Sequence, residues 1–194
     1  MTLTATMPAL KEWSAVVHAL LDGRQRVLLR KGGIGEKRFE VVPPACGGVA
    51  AQDFLLFPTV AHSHTERVRP EHRGLLDAAA ADSTDEHLVV RAAAKVVAAL
   101  PVNRPDGLGA IEDLHIWTAE SVRADRLDFR PKHKLAVLVV SAIPLIEPVR
   151  LPRIPDYAGC TSWVQLPVHP ALGAPVHDEA VLTEVAARVR DAVG

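Results

Sequence analysis

The side chains able to do chemistry in this chain fall in a few short motifs. In "RVLLRKGGIGEK" two cations, Arg30 and Lys31, close an apolar stretch and run directly into Gly32-Gly33. Paired glycines let successive backbone N–H groups point the same way, and such a nest beside a guanidinium binds anions. The same four residues also suit a plain hairpin turn with solvated charges. "FPTVAH" adds the Thr59 hydroxyl and the His62 imidazole, "HIW" adds Trp117, and "GCTSW" adds Cys160, Ser162 and Trp163. The candidate anion- or ligand-binding set is therefore Arg30, Lys31, Gly32, Gly33, Thr59, His62, Trp117, Cys160, Ser162 and Trp163.

Several other chemistries are disfavoured by spacing. "GGIGEK" lacks the G-x-x-x-x-G-K-[ST] phosphate loop, and Gly33-x-Gly35 does not extend to a dinucleotide fingerprint. A metal-dependent nuclease commonly carries a lysine two residues after an acid, and no Asp or Glu stands so anywhere in the chain. Glu36-x-Arg38, Glu71-x-Arg73 and Asp128-x-Arg130 come nearest, but arginine does not deprotonate to act as a base. His62-x-His64 and His72 give no third ligand at a metal-site spacing, so no metal and no cofactor are expected. Cys160 admits a nucleophile reading with His62 or His115 as base, beside the plainer one of a buried apolar thiol. Ser162 lacks the G-x-S-x-G elbow. The tryptophans suit either a core or a pocket wall.

A local basic run, "RADRLDFRPKHK", holds Arg126, Arg130, Lys132, His133 and Lys134, interrupted by Asp125 and Asp128. It reads as a solvated connection or as a contact to a phosphate backbone. Arg67, Arg69, Arg73, Arg150 and Arg153 would extend it if the fold brought them together. The net charge of −1 supplies no global attraction to nucleic acid, so any anion site must be local.

These residues need a scaffold, and 194 residues with 48% hydrophobic content suffice for one domain spanning 1–194. Two cysteines, Cys46 and Cys160, make no disulfide framework. No leader or membrane-length apolar run is present, so a cytoplasmic protein is expected. Helical spacing predicts a helix from Pro8 to a stop at Gly23. Strands are predicted in "QRVLLR", "RFEVV", "DFLLFPT", "KLAVLVVSAI" and "CTSWVQLPV", with "KLAVLVVSAI" central. "PEHRGLLDAAAAD" reads as helix, "PDGLGAIEDL" as a short helix, and Thr118 as the cap of "TAESVRADRL". Residues 86–102 are ambiguous between helix and strand, and the valines favour strand. The proline-punctuated "LIEPVRLPRIPDY" predicts an edge strand or a wrapping loop. An amphipathic helix closes the chain over residues 177–193. The sum is an α+β domain with a mixed, mostly antiparallel sheet, curled or barrel-like, and flanking helices.

Taken in order, "LKEWSAVVHALLDGRQRVLLRKGGI", "FLLFPTVAH", "LHIWTAESV", "FRPKHKLAVLVV" and "YAGCTSWVQL" resemble domain-of-unknown-function family 1802, over residues 10–166. The resemblance marks the candidate residues above, with Pro58 and Gly159, as motif positions. It implies a bacterial protein linked to restriction–modification systems, with no assigned reaction. Two departures stand out: Ser63-His64 follows His62 where the family typically has glutamine, and "PPACGGVAAQ" replaces a short turn. The resulting expectation is a nucleic-acid- or nucleotide-anion-binding module of a defence system, without its own nuclease site. Its partners would be a DNA or RNA backbone and a protein of the restriction system, with no membrane. A hydrolase using Cys160 or His62 and a structural protein-interaction domain are the alternatives.

Overall fold

Residues 6–31, 53–60 and 65–194 are described by the structure, a computed structural model. The first element already departs from expectation. Met7–Trp13 is a strand, β1, and only Ser14–Leu21 is helix, α1. A core packs on each face of β1, so Leu10 on one face and Ala9 on the other are both fully buried. With both faces buried, the two-residue alternation of a strand vanishes from the sequence, and Leu10, Trp13 and Val17 mimic helical spacing. Gly23 does end α1 as expected, in the left-handed region at φ 75°.

The remaining strands are β2 (Val27–Lys31), β3 (Phe54–Thr59), β4 (His87–Pro101), β5 (Leu135–Pro152) and β6 (Trp163–Leu166). They form one sheet in the order β2-β5-β4-β3-β1-β6; β1 and β3 run parallel and all other neighbours antiparallel. The sheet is mixed and mostly antiparallel, but among the described residues it is open, with β2 and β6 at its edges, and does not close into a barrel. The expected "RFEVV" strand lies outside the described residues.

Residues 87–101 settle as strand: β4 pairs with β5 along nearly its whole length, with irregularities after Val90 and Val96. β5 runs on through its prolines to Pro152, where a loop or separate edge strand was expected. Its free edge there is met by the chain before α4, through Ile146 N–H to Ala171 O and Gly173 N–H to Pro144 O. β5 is one place in from the edge rather than at the centre.

Alternation across the sheet separates two cores. Phe54 and Leu56 of β3 join the larger one, under α1 and the C-terminal helix α4 (Glu179–Val193). Leu55 and Phe57 join the smaller one, with Tyr157 and Leu166. The connection between β4 and β5 carries the 3-10 segment Pro105–Leu114, the short helix α3 (Ala119–Val122) and a π-helical segment, Arg123–Asp128. Thr118 caps α3, accepting from Ser121 N–H at 3.1 Å as its residue type predicts. Helix α2 (Leu75–Ala80) is preceded by a 3-10 turn at Pro70–His72. At Gly107 a Cβ would fall 1.9 Å from Ala192 O, so the 3-10 segment can meet the end of α4 only without a side chain there.

Candidate functional site

The last residues of three strands line one hollow. Lys11-Glu12-Trp13 closes β1, Arg30-Lys31 closes β2 and Thr59 closes β3. The loop before β6 is tied alongside by Lys11 N–H to Ser162 O at 2.8 Å. Together with the π-helical segment they enclose a hollow of about 300 Å³. Five of the ten candidate ligand residues line it: Arg30, Lys31, Thr59, Cys160 and Ser162. Gly32, Gly33 and His62 lie outside the described residues. Trp117 stands back from the hollow, 5% exposed, edge-on to Trp13 at a ring separation of 4.6 Å. Trp163 is not in the wall either; it packs edge-on against Phe54 at 5.2 Å.

The two expected anion ligands are employed differently. Arg30 Nη1 lies 3.3 Å from Glu12 Oε2 and donates to Lys11 O at 3.3 Å. Glu12 is buried, and its other oxygen accepts the Trp13 N–H at 2.8 Å. Lys31 Nζ donates to three carbonyls, those of Leu127 (3.3 Å), Phe129 and Arg130 (2.8 Å). An ammonium has three N–H groups, so Lys31 has none left for an anion. It docks β2 onto the end of the π-helical segment, and loss of hydration there lowers its pKa.

Two cations that the sequence did not place at the hollow complete it. Lys11 was hidden by the helical reading of its segment. Among the described residues its Nζ makes one hydrogen bond, to Gly159 O at 3.1 Å, which leaves two further N–H groups. Desolvation lowers its pKa, against the charge of the nearby Cys160 and with that of Arg153. Arg126 belongs to the basic run noted above. Burial lowers its pKa, Glu12 opposes that, and its buried Nε has no hydrogen-bond partner among the described residues. Asp125 also lines the hollow and pairs with Arg67 at 3.4 Å. Among the described residues, four cations thus face two carboxylates around one cavity.

The other arginines do not assemble into a single basic face. Arg69 is spent on Glu71 and on the carbonyls of Glu112 and Trp117, and Arg73 on Val68 O. Arg150 contacts His87. Arg153 donates to Thr84 O at 2.7 Å and lines a second hollow of about 420 Å³. That hollow shares Lys11, Thr59 and Gly159 with the first, so Lys11 stands on the ridge between them. Lys132, His133 and Lys134 are exposed outside both.

Cys160 is a free, exposed thiol. His115, considered above as its base, lines a different hollow with Leu108 and Asp128. It is 2% exposed, accepts the Trp117 N–H at Nδ1, and desolvation lowers its pKa to about 4. Among the described residues no three metal-ligating side chains cluster, and no helix is long and apolar enough to cross a membrane.

Residues 9–188 match the family described as "Domain of unknown function (DUF1802)". The chain belongs to the DUF1802 family. The match runs past the 10–166 segment that carried the sequence resemblance and takes in most of α4, whose Leu182, Val185 and Val189 belong to the larger core. No curated protein matches this DUF1802 member in sequence. Among solved structures it is similar to ASCH from Zymomonas mobilis, with TM-score 0.44, 14% identity, and 82% of this chain and 86% of that chain covered. A single-substitution variant of the Zymomonas mobilis protein gives TM-score 0.38 and 13% identity over 71% and 72%.

Proposed function

We infer that this DUF1802 member is a nucleic-acid-binding module that holds phosphate at the ridge between the two hollows. One observation carries the reading. Lys11 stands there with spare donors, in a cavity where, among the described residues, four cations outnumber two carboxylates. In a protein of net charge −1 that local excess is what a backbone phosphate would seek. Arg126 and Arg30 add positive field from the wall, Arg30 being already shared with Glu12. Ser162 supplies a hydroxyl in the wall, whereas that of Thr59 donates to Glu12 O at 3.1 Å. The chain acts as one domain in the cytoplasm, binding rather than cutting, in a restriction or defence setting with a protein partner. The setting and the partner rest on the family resemblance alone.

Titrating a fluorescent oligonucleotide at several salt concentrations tests this. Affinity is expected to fall steeply with salt, and Lys11→Ala to weaken it and flatten the log–log salt slope by about one. Affinity indifferent to salt, or to Lys11→Ala, would refute the assignment.

A second reading, a hydrolase with Cys160 as nucleophile, draws on that thiol's exposure beside Lys11. It requires Cys160→Ser to abolish a turnover; the binding reading expects Cys160→Ser to leave affinity for the strand unchanged.

A further inference from the structure

Phe129 is 56% exposed and lines the first hollow, in a chain that has only four phenylalanines. Exposure of a lone apolar side chain is ordinary. What sets Phe129 apart is how its backbone is held. Lys31 clamps the carbonyls of Leu127, Phe129 and Arg130 from across the chain. Arg130, at φ 50°, turns the backbone sharply just after it, and the Arg130 guanidinium lies 5.2 Å from the Phe129 ring centre. A fold that spends a whole ammonium on fixing this turn presents the ring from a held backbone beside a cationic cavity.

We propose that the partner of this site is a single-stranded nucleic acid, with an unpaired base stacked on Phe129 and its backbone phosphate at Lys11. The proposal rests on the nucleic-acid reading above and narrows it. Three features exclude an intact duplex as the preferred ligand. Paired bases have no free face for an aromatic ring to cover except at the ends. The side chain of Arg30 is 19% exposed and that of Glu12 6%, so the charges lie recessed where only a bending strand can reach. The cavity, about 300 Å³, has the size of a small-ligand site rather than of a groove-reading surface. The adjoining hollow across Lys11, with Tyr157 and Arg153 in its wall, continues the track for the next nucleotide. Stacking is tolerant of base identity, so little sequence preference is expected.

The test uses fluorescence anisotropy on the full chain with four labelled probes. They are poly-rU and poly-dT strands of about twelve nucleotides, within usual site sizes, a dT strand carrying abasic sites, and a duplex. The wild type is expected to bind both base-bearing strands more tightly than the duplex; the two distinguish RNA from DNA as the source. Phe129→Ala should weaken base-bearing strands by about tenfold and leave the abasic strand unchanged, while Phe129→Trp retains binding. Lys11→Ala should weaken every probe. Salt-sensitive, Lys11-dependent binding with duplex and single strand held equally, or with Phe129→Ala losing nothing or losing equally on the abasic strand, would overturn the single-strand inference and leave the broader reading standing. Binding to none of the probes would overturn both. Phe129 is exposed, so the alanine variant folds as the parent does, checked by its melting curve.

Discussion

Asp82 and Glu12 are both buried carboxylates that meet arginine, and the two clusters are built to different standards. Asp82 receives Arg91 through two bonds, 2.7 and 2.8 Å, and His18 Nε2 at 2.6 Å. The cluster ties α1, the turn after α2 and β4 together and borders none of the hollows described above. Glu12 meets Arg30 through one contact at 3.3 Å, with Arg126 and Lys11 close by and a cavity between them. Two-point arginine–carboxylate pairing is the stronger geometry, and its donors are consumed by it. The Asp82 cluster is therefore structural throughout. The Glu12 cluster leaves positive charge unspent, which is the property a binding site needs.

The largest expected effect separates the two. Asp82→Ala strands Arg91 and His18 against a buried wall, and removing one member of a buried pair costs about 3–5 kcal/mol. Arg91 keeps 34% of its side chain exposed, which places the loss near the lower figure, about 3 kcal/mol. Thermal melting should drop by about 10 °C, with nucleic-acid affinity of the folded fraction unaltered. A loss of affinity would mean that the clusters are coupled. Burial alone would raise the pKa of Asp82, but the hydrogen bonds from His18 and Arg91 outweigh it and hold it below the usual range. A depressed acid stabilises the fold above its unfolded pKa, so this contribution is present at neutral pH and is lost below about pH 4.

His115 sharpens the comparison, because it is a buried polar group in no ion pair among the described residues. Burial lowers its pKa from 6.5 to about 4, and Arg69 adds to that while Asp113 opposes. Between those values the unfolded chain binds a proton that the folded chain does not, so stability falls as pH drops. At pH 5 the loss is about 2 kcal/mol relative to pH 7. His115→Asn keeps an acceptor for the Trp117 N–H and should shed that part of the pH dependence. His72 and His177, also lowered by burial, act with the same sign. Urea midpoints of parent and variant at the two pH values therefore need to be compared as a pair. An unchanged difference would place the sensitivity in those two histidines.

Much of the scaffold could be read from local pattern. The final helix, the Thr118 cap, the Gly23 stop and the valine-rich β4 all carry signals contained within a few residues. β1 could not be read so, because burial on both faces erases the alternation that marks a strand. That error concealed Lys11: placed on a helix it was one more solvated cation, whereas on β1 it reaches the ridge between two hollows. The destination of Lys31 was equally hidden, since its acceptors lie 96 to 99 residues further along the chain. Motif reading did name Arg30, Thr59, Cys160 and Ser162, which line one cavity. It could not tell which charges there are free, because that depends on long-range pairing.

The smallest expected effect bears most directly on the Glu12 cluster. Glu12→Gln keeps the oxygen that accepts the Trp13 N–H and removes one negative charge from the hollow. A fully desolvated pair would lose several kcal/mol, but here the contact is single and long, and the Arg30 side chain is 19% exposed. The cost should therefore approach that of a surface pair, about 1 kcal/mol, well under that of Asp82→Ala. Affinity for a phosphate-bearing strand should instead rise severalfold at low salt, because the carboxylate no longer offsets Arg30 and Arg126, and the gain should fade as salt increases. Stability and binding then move in opposite directions for Glu12, which a purely structural cluster cannot produce. If Glu12→Gln destabilises as deeply as Asp82→Ala and binding does not rise, the two carboxylates are equivalent and the surplus charge at the hollow is structural after all.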